Sequence, residues 1–243
     1  MENIKEALEY SVELANNEEK IIESNESKEY YDSNKHRLVE LDPLRYAKSI
    51  KLNTLTGLVE YLKSGRDSLN EKQLTVHVVS PTEVEVFSEL DVDRKREMYL
   101  TAEAILPQYN YGSYYPVDEF NIKIQSVFVG NADSDILTTF ASAIHIENGA
   151  TVTDNGTAQT VTVKNGVSTL AKGKAPNPVG LKPYRTFVEV EQPESNFVFR
   201  INDKPGCALF EADGGLWKNT AMNNVKSFLQ EALQDLENIE VIA

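Results

Sequence analysis

The chain has 243 residues, with 24 Lys or Arg against 38 Asp or Glu, a net charge of −14, and a single cysteine. That length suits one large domain, or one domain with an appendage. The counts exclude a disulfide framework and a zinc ribbon, and they exclude the Lys/Arg-rich surface on which nonspecific nucleic-acid binding depends. No apolar run approaches the roughly 20 residues of a membrane span. The start, MENIKEALEY, lacks the basic end and apolar stretch of a signal peptide. The sequence therefore reads as a cytoplasmic protein with no membrane partner.

In chain order, Ile4, Ala7, Leu8, Val12, Ala15 and Ile22 recur at helical spacing and predict an amphipathic helix over 3–23. Residues 24–37 are polar and read as a linker. Residues 1–35 hold ten acids against four lysines, net −6, so the arm is far more acidic than the rest of the chain. A second helix is expected over 53–64, with Leu55, Leu58, Val59 and Leu62 as its stripe, Asn53 or Thr54 as cap and Gly65 as stop. Residues 73–79 and 83–90 alternate in polarity around Ser80-Pro81-Thr82 and predict a hairpin. Residues 93–97 form a charged connection, and 98–106 are a third strand.

A loop follows over 107–116. Two helices come next, one behind Pro116 with Val117, Phe120, Ile124, Val127 and Phe128, the other capped by Asp133 or Ser134 and ending at Asn148-Gly149. The chain then turns to strands, with turns at Asp154-Asn155-Gly156 and Asn165-Gly166 and a connector over 173–183. Residues 184–192, 196–202 and 207–213 are expected as a three-stranded meander. Its loops are Pro193-Glu194-Ser195 and Asp203-Lys204-Pro205-Gly206. Gly214-Gly215 releases a helix over 216–237. The order predicts an α+β fold: a mostly antiparallel curved sheet packed against helices, a long C-terminal helix and a helical N-terminal arm over 1–50, ahead of one domain over 51–243. From residue 98 onward the topology resembles helix-grip domains, which often enclose an apolar cavity.

Chemical motifs are sparse. No phosphate-cradling Gly-rich loop is present, so no nucleotide cofactor is read. His36, His77 and His145 stand apart, and no metal site is read. Asp91 and Asp93 precede three basic residues and read as a charged turn. The pairs Glu83/Glu85 and Glu189/Glu191 each read as the solvent face of a strand. Cys207 opens an apolar strand and reads as a buried thiol. No catalytic residues are assigned. Two features rise above these. Tyr109, Tyr111, Tyr114 and Tyr115 crowd one loop, which reads either as a loop folded back on the core or as a contact surface, and with no basic residue among them that surface favours protein over nucleic acid. Arg185 and Arg200 fall in adjacent expected strands, within reach of Glu189 or Glu191, as ion pairs or as an anion- or partner-binding face.

Pro183-Tyr184-Arg185-Thr186-Phe187, Val188 through Pro193, Phe197-Val198-Phe199-Arg200 and Leu209 through Gly215, then Trp217 and a helix, resemble the YfdQ-like family of phage and prophage proteins over about residues 50–237. The resemblance implies a phage or prophage origin near replication and recombination genes, and it carries no site residues. The resulting expectation is a non-enzymatic accessory protein of the bacterial cytoplasm that binds a phage replication or recombination protein. The alternatives are an acidic, DNA-mimicking inhibitor of a host nuclease or defence complex, and a helix-grip binder of a small ligand. Self-association through the N-terminal stripe is also expected.

Overall fold

A computed structural model describes residues 2–16, 21–23, 29–32, 38–40, 45–145, 150–154, 159–165, 168–174, 177–202 and 206–243. The expected turns at 154–156, 165–166 and 203–206, His36, the helix end at 148–149 and most of the expected linker lie wholly or partly outside the described residues. Among those described, no helix is long and apolar enough to cross a membrane. The chain divides into two compact units, Met1–Ala47 and Lys48–Ala243.

The first unit holds α1 (Glu2–Asn16) and three short strands, β1 (Ile21–Glu23), β2 (Glu29–Asp32) and β3 (Leu38–Glu40), in the order β1-β2-β3. The helix stops at Asn16, not at residue 23. Ile22, expected on its stripe, sits in β1 opposite Tyr30.

The second unit is α+β, as expected, but its strands form two separate five-stranded sheets and a three-stranded one. It opens with β4 (Ile50–Leu52) and α2 (Leu55–Lys63). Thr54 caps α2 through its hydroxyl, which accepts from the Gly57 amide at 3.1 Å. A 3₁₀ segment over Arg66–Glu71 leads to β5 (Leu74–Ser80), β6 (Glu83–Ser88) and β7 (Met98–Glu103). The period-2 alternation works as read. Val76 faces Val86 and Val86 faces Leu100 in antiparallel register, and all three are fully buried.

The short β8 (Tyr115–Pro116) precedes α3 (Val117–Val127). Then come β9 (Phe128–Val129), α4 (Ala132–His145) and the small sheet of β10 (Ala150–Asp154), β11 (Gln159–Asn165) and β12 (Ser168–Lys174). Asn131, not Asp133 or Ser134, starts α4. Its Oδ1 accepts from the Ser134 amide at 2.8 Å, while Asp133 Oδ2 accepts from the Gly180 amide at 2.7 Å. The chain continues through β13 (Val179–Pro183), β14 (Ser195–Ile201), β15 (Gly206–Glu211), α5 (Trp217–Ala232) and β16 (Ile239–Ile242). The C-terminal helix is therefore five residues shorter at its end than expected. A strand with no counterpart in the sequence reading follows it and pairs parallel with β5.

The sheet β16-β5-β6-β7-β4 is curled and carries one core with α2 and α5. Leu58, Leu62, Val225 and Leu229 pack there against Val76, Val84 and Leu100. The sheet β8-β15-β14-β13-β9 carries the other with α3 and α4, built on Phe120, Ile124, Leu137, Phe197, Phe199 and Leu209. The helix-grip resemblance expects a curved sheet of the late strands to wrap the last helix. In the structure α5 packs instead on the sheet built from the early strands.

Cys207 lies in the second core at 0% exposure, and burial pushes its thiol up to about 12. The folded protein is expected to resist a colorimetric thiol reagent at pH 8 and to yield one reactive thiol per chain after denaturation. Fast labelling of the native protein would show that β15 is not packed as described.

Candidate functional site

The meander departs from the sequence reading at one decisive place. Residues 184–194 are not a strand. They form an irregular loop between β13 and β14, and the meander's first strand is the 179–183 segment expected as a connector. Gln192 explains why. Its side chain is buried at 4% exposure, and its Oε1 accepts from the amides of Arg185 at 3.0 Å and Thr186 at 3.3 Å. Its Nε2 donates to the carbonyls of Phe187 at 2.9 Å and Val190 at 3.2 Å. One amide thus stands in for a sheet ladder at Arg185, Thr186, Phe187 and Val190. The loop is also anchored in the other sheet's core. Phe187 is 1% exposed there, and Thr186 Oγ1 donates to the Pro81 carbonyl at 2.5 Å.

This loop places Arg185, 8% exposed, in the lining of a cleft of about 550 Å³. The walls come from the tyrosine loop (Tyr109, Tyr111), from Tyr184, from Glu211 at the end of β15, and from Trp217 and Lys218 at the start of α5. Arg185 Nη1 donates to Glu211 Oε1 at 2.8 Å, and Nη2 donates to Ser195 Oγ. Ser195 in turn donates to Asp213 Oδ2 at 2.5 Å, and Asp213 Oδ1 accepts from the Gly215 amide at 3.1 Å. The guanidinium also lies 4.1 Å from the centre of the Trp217 ring. It therefore joins the loop, β14, β15 and α5 at one point. Two donors buried in residues of the cleft wall, Arg185 Nε and Tyr109 Oη, have no hydrogen-bond partner among the described residues.

The electrostatics follow from burial and pairing. Burial lowers the Arg185 pKa from its usual value, against the pull of Tyr111, Glu211 and Asp213, and a guanidinium stays charged regardless. Burial of Asp213 works against its ionisation, but the Ser195 hydroxyl, the Gly215 amide and Arg185 together hold its carboxyl below the usual range. Burial pushes the Tyr111 phenol up to about 12 and Tyr109 higher still, so both are neutral hydrogen-bonding groups at physiological pH. Ser195 is 3% exposed and already accepts from Arg185. Its hydroxyl bridges the Arg185 guanidinium and the Asp213 carboxylate.

The sequence-selected residues divide in two. Tyr109, Tyr111 and Arg185 meet in the cleft. Tyr111 stacks on Phe197 with ring centres 5.4 Å apart, and Tyr109 packs on Tyr111, Tyr115 and Phe128. Gly112 lets the loop turn here. It has φ +77°, its amide donates to the Leu209 carbonyl at 2.8 Å, and a side chain there would meet Phe210. Tyr115 is in the core with its hydroxyl accepting from the Asn110 amide. Tyr114 stays outside, 45% exposed, edge-on to Phe210.

Arg200 is not beside Arg185. It lies five residues from Ser195 along β14, about 17 Å away at strand spacing, and donates to the Phe199 carbonyl at 2.9 Å. The expected partners also separate. Glu191 pairs with Lys182 at 2.8 Å, and Glu189 Oε1 accepts from the Thr56 amide in the first turn of α2 at 3.3 Å. Glu189 and Glu191 therefore share no strand face. Asp91 and Asp93 form the expected charged turn, with Lys95 bonded to both. No metal-binding group of acids, histidines or cysteines occurs among the described residues.

Sequence reasoning did not select Gln192, Ser195, Glu211, Asp213, Trp217 or Lys218. Trp217 carried a usable signal, being the sole tryptophan and directly following Gly-Gly-Leu at a helix start. No family model, curated protein or solved structure matches the chain.

Proposed function

We propose that the chain is a phage- or prophage-encoded accessory protein of the bacterial cytoplasm that acts by binding, alongside a replication or recombination protein. The observation that carries this reading is the aromatic surface around Gly112. Tyr109 and Tyr111 wall the cleft, and beside them Tyr114 and Phe210, 45% and 38% exposed, pack edge to face on the outside. Rigid aromatic side chains held at a surface are the chemistry of binding hot spots. Purification of a tagged copy from phage-infected cells should recover a phage protein in stoichiometric amount. The double variant Tyr114→Ala/Phe210→Ala should lose it while melting at the wild-type temperature. Recovery of the same partner by the double variant would remove this surface from the function.

Two further readings have their own support. In α1, Ile4, Leu8 and Val12 are 66%, 61% and 57% exposed beside the exposed acids Glu6 and Glu9. This supports engagement of a basic host nuclease or defence protein, or self-association through the apolar stripe. Charge reversal within residues 1–35 should abolish salt-sensitive capture of a basic host protein, and unchanged capture would dismiss the inhibitor. The small-ligand reading is supported by the cleft, whose volume falls in the roughly 300–1,000 Å³ range of ligand sites.

A further inference from the structure

We infer that the cleft takes a mononucleotide, its base against the aromatic walls and its phosphate toward Lys218. The inference rests on the reading of the cleft as a ligand site, and four observations carry it.

First, the walls present four aromatic residues, Tyr109, Tyr111, Tyr184 and Trp217, in a cleft of about 550 Å³. Planar heterocycles stack on such rings whatever their identity, because every base has a π face.

Second, the wall residues Arg185 and Tyr109 keep buried donors, Nε and Oη, without an acceptor among the described residues. Such groups are costly unless something accepts from them. The ring nitrogens and carbonyls of a base are acceptors, and because both donors lie behind the cleft surface, a base reaches them only with a small shift of the wall side chains.

Third, the charges are asymmetric. Acids outnumber bases by 38 to 24 in this chain, yet Lys218 is exposed at the cleft and lies within ion-pair distance of no carboxylate among the described residues. Its ammonium is 6.0 Å from the Trp217 ring centre. The acids nearby are already engaged, Glu211 by Arg185 through Oε1, and Asp213 by Ser195 and Gly215. An anionic group on the ligand is what Lys218 lacks. Glu211, whose side chain is 43% exposed, keeps a second oxygen to accept from a sugar hydroxyl.

Fourth, the net charge of −14 repels a polyanion but costs little for a ligand carrying about two charges, so the site selects a free nucleotide over a nucleic-acid chain.

Trp217 is the only tryptophan, so its emission reports on this cleft alone. The purified full chain is titrated with AMP, GMP, CMP and UMP, followed by Trp217 fluorescence and by calorimetry. At least one nucleotide should bind saturably, its nucleoside at least tenfold more weakly. Lys218→Glu, on an exposed side chain, should weaken it at least tenfold with no change in melting temperature. Equal affinity for the nucleoside, or an unaffected Lys218→Glu variant, would overturn the phosphate assignment. Tighter binding of a single-stranded oligonucleotide than of any mononucleotide would overturn the choice of a free ligand. Binding of phenylpyruvate but of no nucleotide would overturn the base. If no nucleotide binds but a protein partner still co-purifies through Tyr114 and Phe210, the nucleotide fails and the binding function stands.

Discussion

Gln192→Ala is expected to destabilise the protein by about 3 kcal/mol, an effect to be read as a fall in the urea midpoint at constant slope. The side chain removed is 4% exposed and accepts from two backbone amides while donating to two carbonyls. Alanine leaves the Arg185 and Thr186 amides and the Val190 carbonyl without these partners, while the Phe187 carbonyl keeps the Val190 amide, and each buried orphan costs about 1–3 kcal/mol before relaxation. Two anchors limit relaxation, because Phe187 is packed in one core and Ser195 starts a central strand of the other sheet. Gln192→Leu keeps most of the volume and none of the hydrogen bonds, so it should fare no better than alanine. If leucine is neutral, packing and not hydrogen bonding holds the loop. Because the same side chain accepts from the Arg185 amide, both variants should also shift Trp217 emission.

Arg185→Met has the second large expected effect, a loss of about 2 kcal/mol. Breaking a fully buried ion pair costs about 3–5 kcal/mol. The Glu211 side chain is 43% exposed and recovers part of its hydration, which brings the figure down. What remains is a Ser195–Asp213 pair that has lost its cation and a Trp217 ring that has lost its stacked guanidinium. Arg185→Lys should recover little, because one ammonium lacks the planar fork that reaches Glu211 and Ser195 together.

A pH signature separates this network from simple packing. The Asp213 carboxyl is held below its ordinary value, so its contribution to stability is complete above the unfolded-state pKa and is lost as pH falls through the lower, folded one. Acid denaturation of the wild type below about pH 4 should therefore be steeper than that of Asp213→Asn. Identical acid limbs would show that Asp213 contributes nothing as an anion.

The local features of the chain were legible. Val76, Val78, Val84 and Val86 alternate around Ser80-Pro81-Thr82, and a hairpin forms there because neighbouring residues can satisfy that pattern. The Thr54 cap and the α2 stripe were equally plain, as was burial of Cys207. Residues 184–192 misled because alternation in Tyr-Arg-Thr-Phe-Val-Glu-Val-Glu is the same signal a strand gives. Only a side chain folded back onto its own loop, with Phe187 drawn into a second core, outweighs it. The strand β16 was illegible for another reason. Its four residues are held by parallel pairing with β5, far away in sequence, and by Ile239 and Val241 against the core.

The same division runs through the candidate site. Clustering drew attention to the tyrosines and to Arg185, and Tyr109, Tyr111 and Arg185 do line one cleft. Arg200 comes near Arg185 only if residues 184–192 are a strand, and it stands at the far end of β14. Ser195 and Glu211 come from the paired strands β14 and β15, Trp217 and Lys218 from the start of α5, and Arg185 reaches them only through the path of the 184–194 loop. Local pattern carries the α+β class, the hairpins and helices whose periodicity is local, the burial of the thiol and the acidic charge. Tertiary structure alone decided that the strands divide into two sheets with two cores, and that one buried arginine ties four segments into a cleft. Periodicity records which residues seek burial, whereas pairing partners and side-chain hydrogen bonds across a long separation are fixed only when the whole chain has packed.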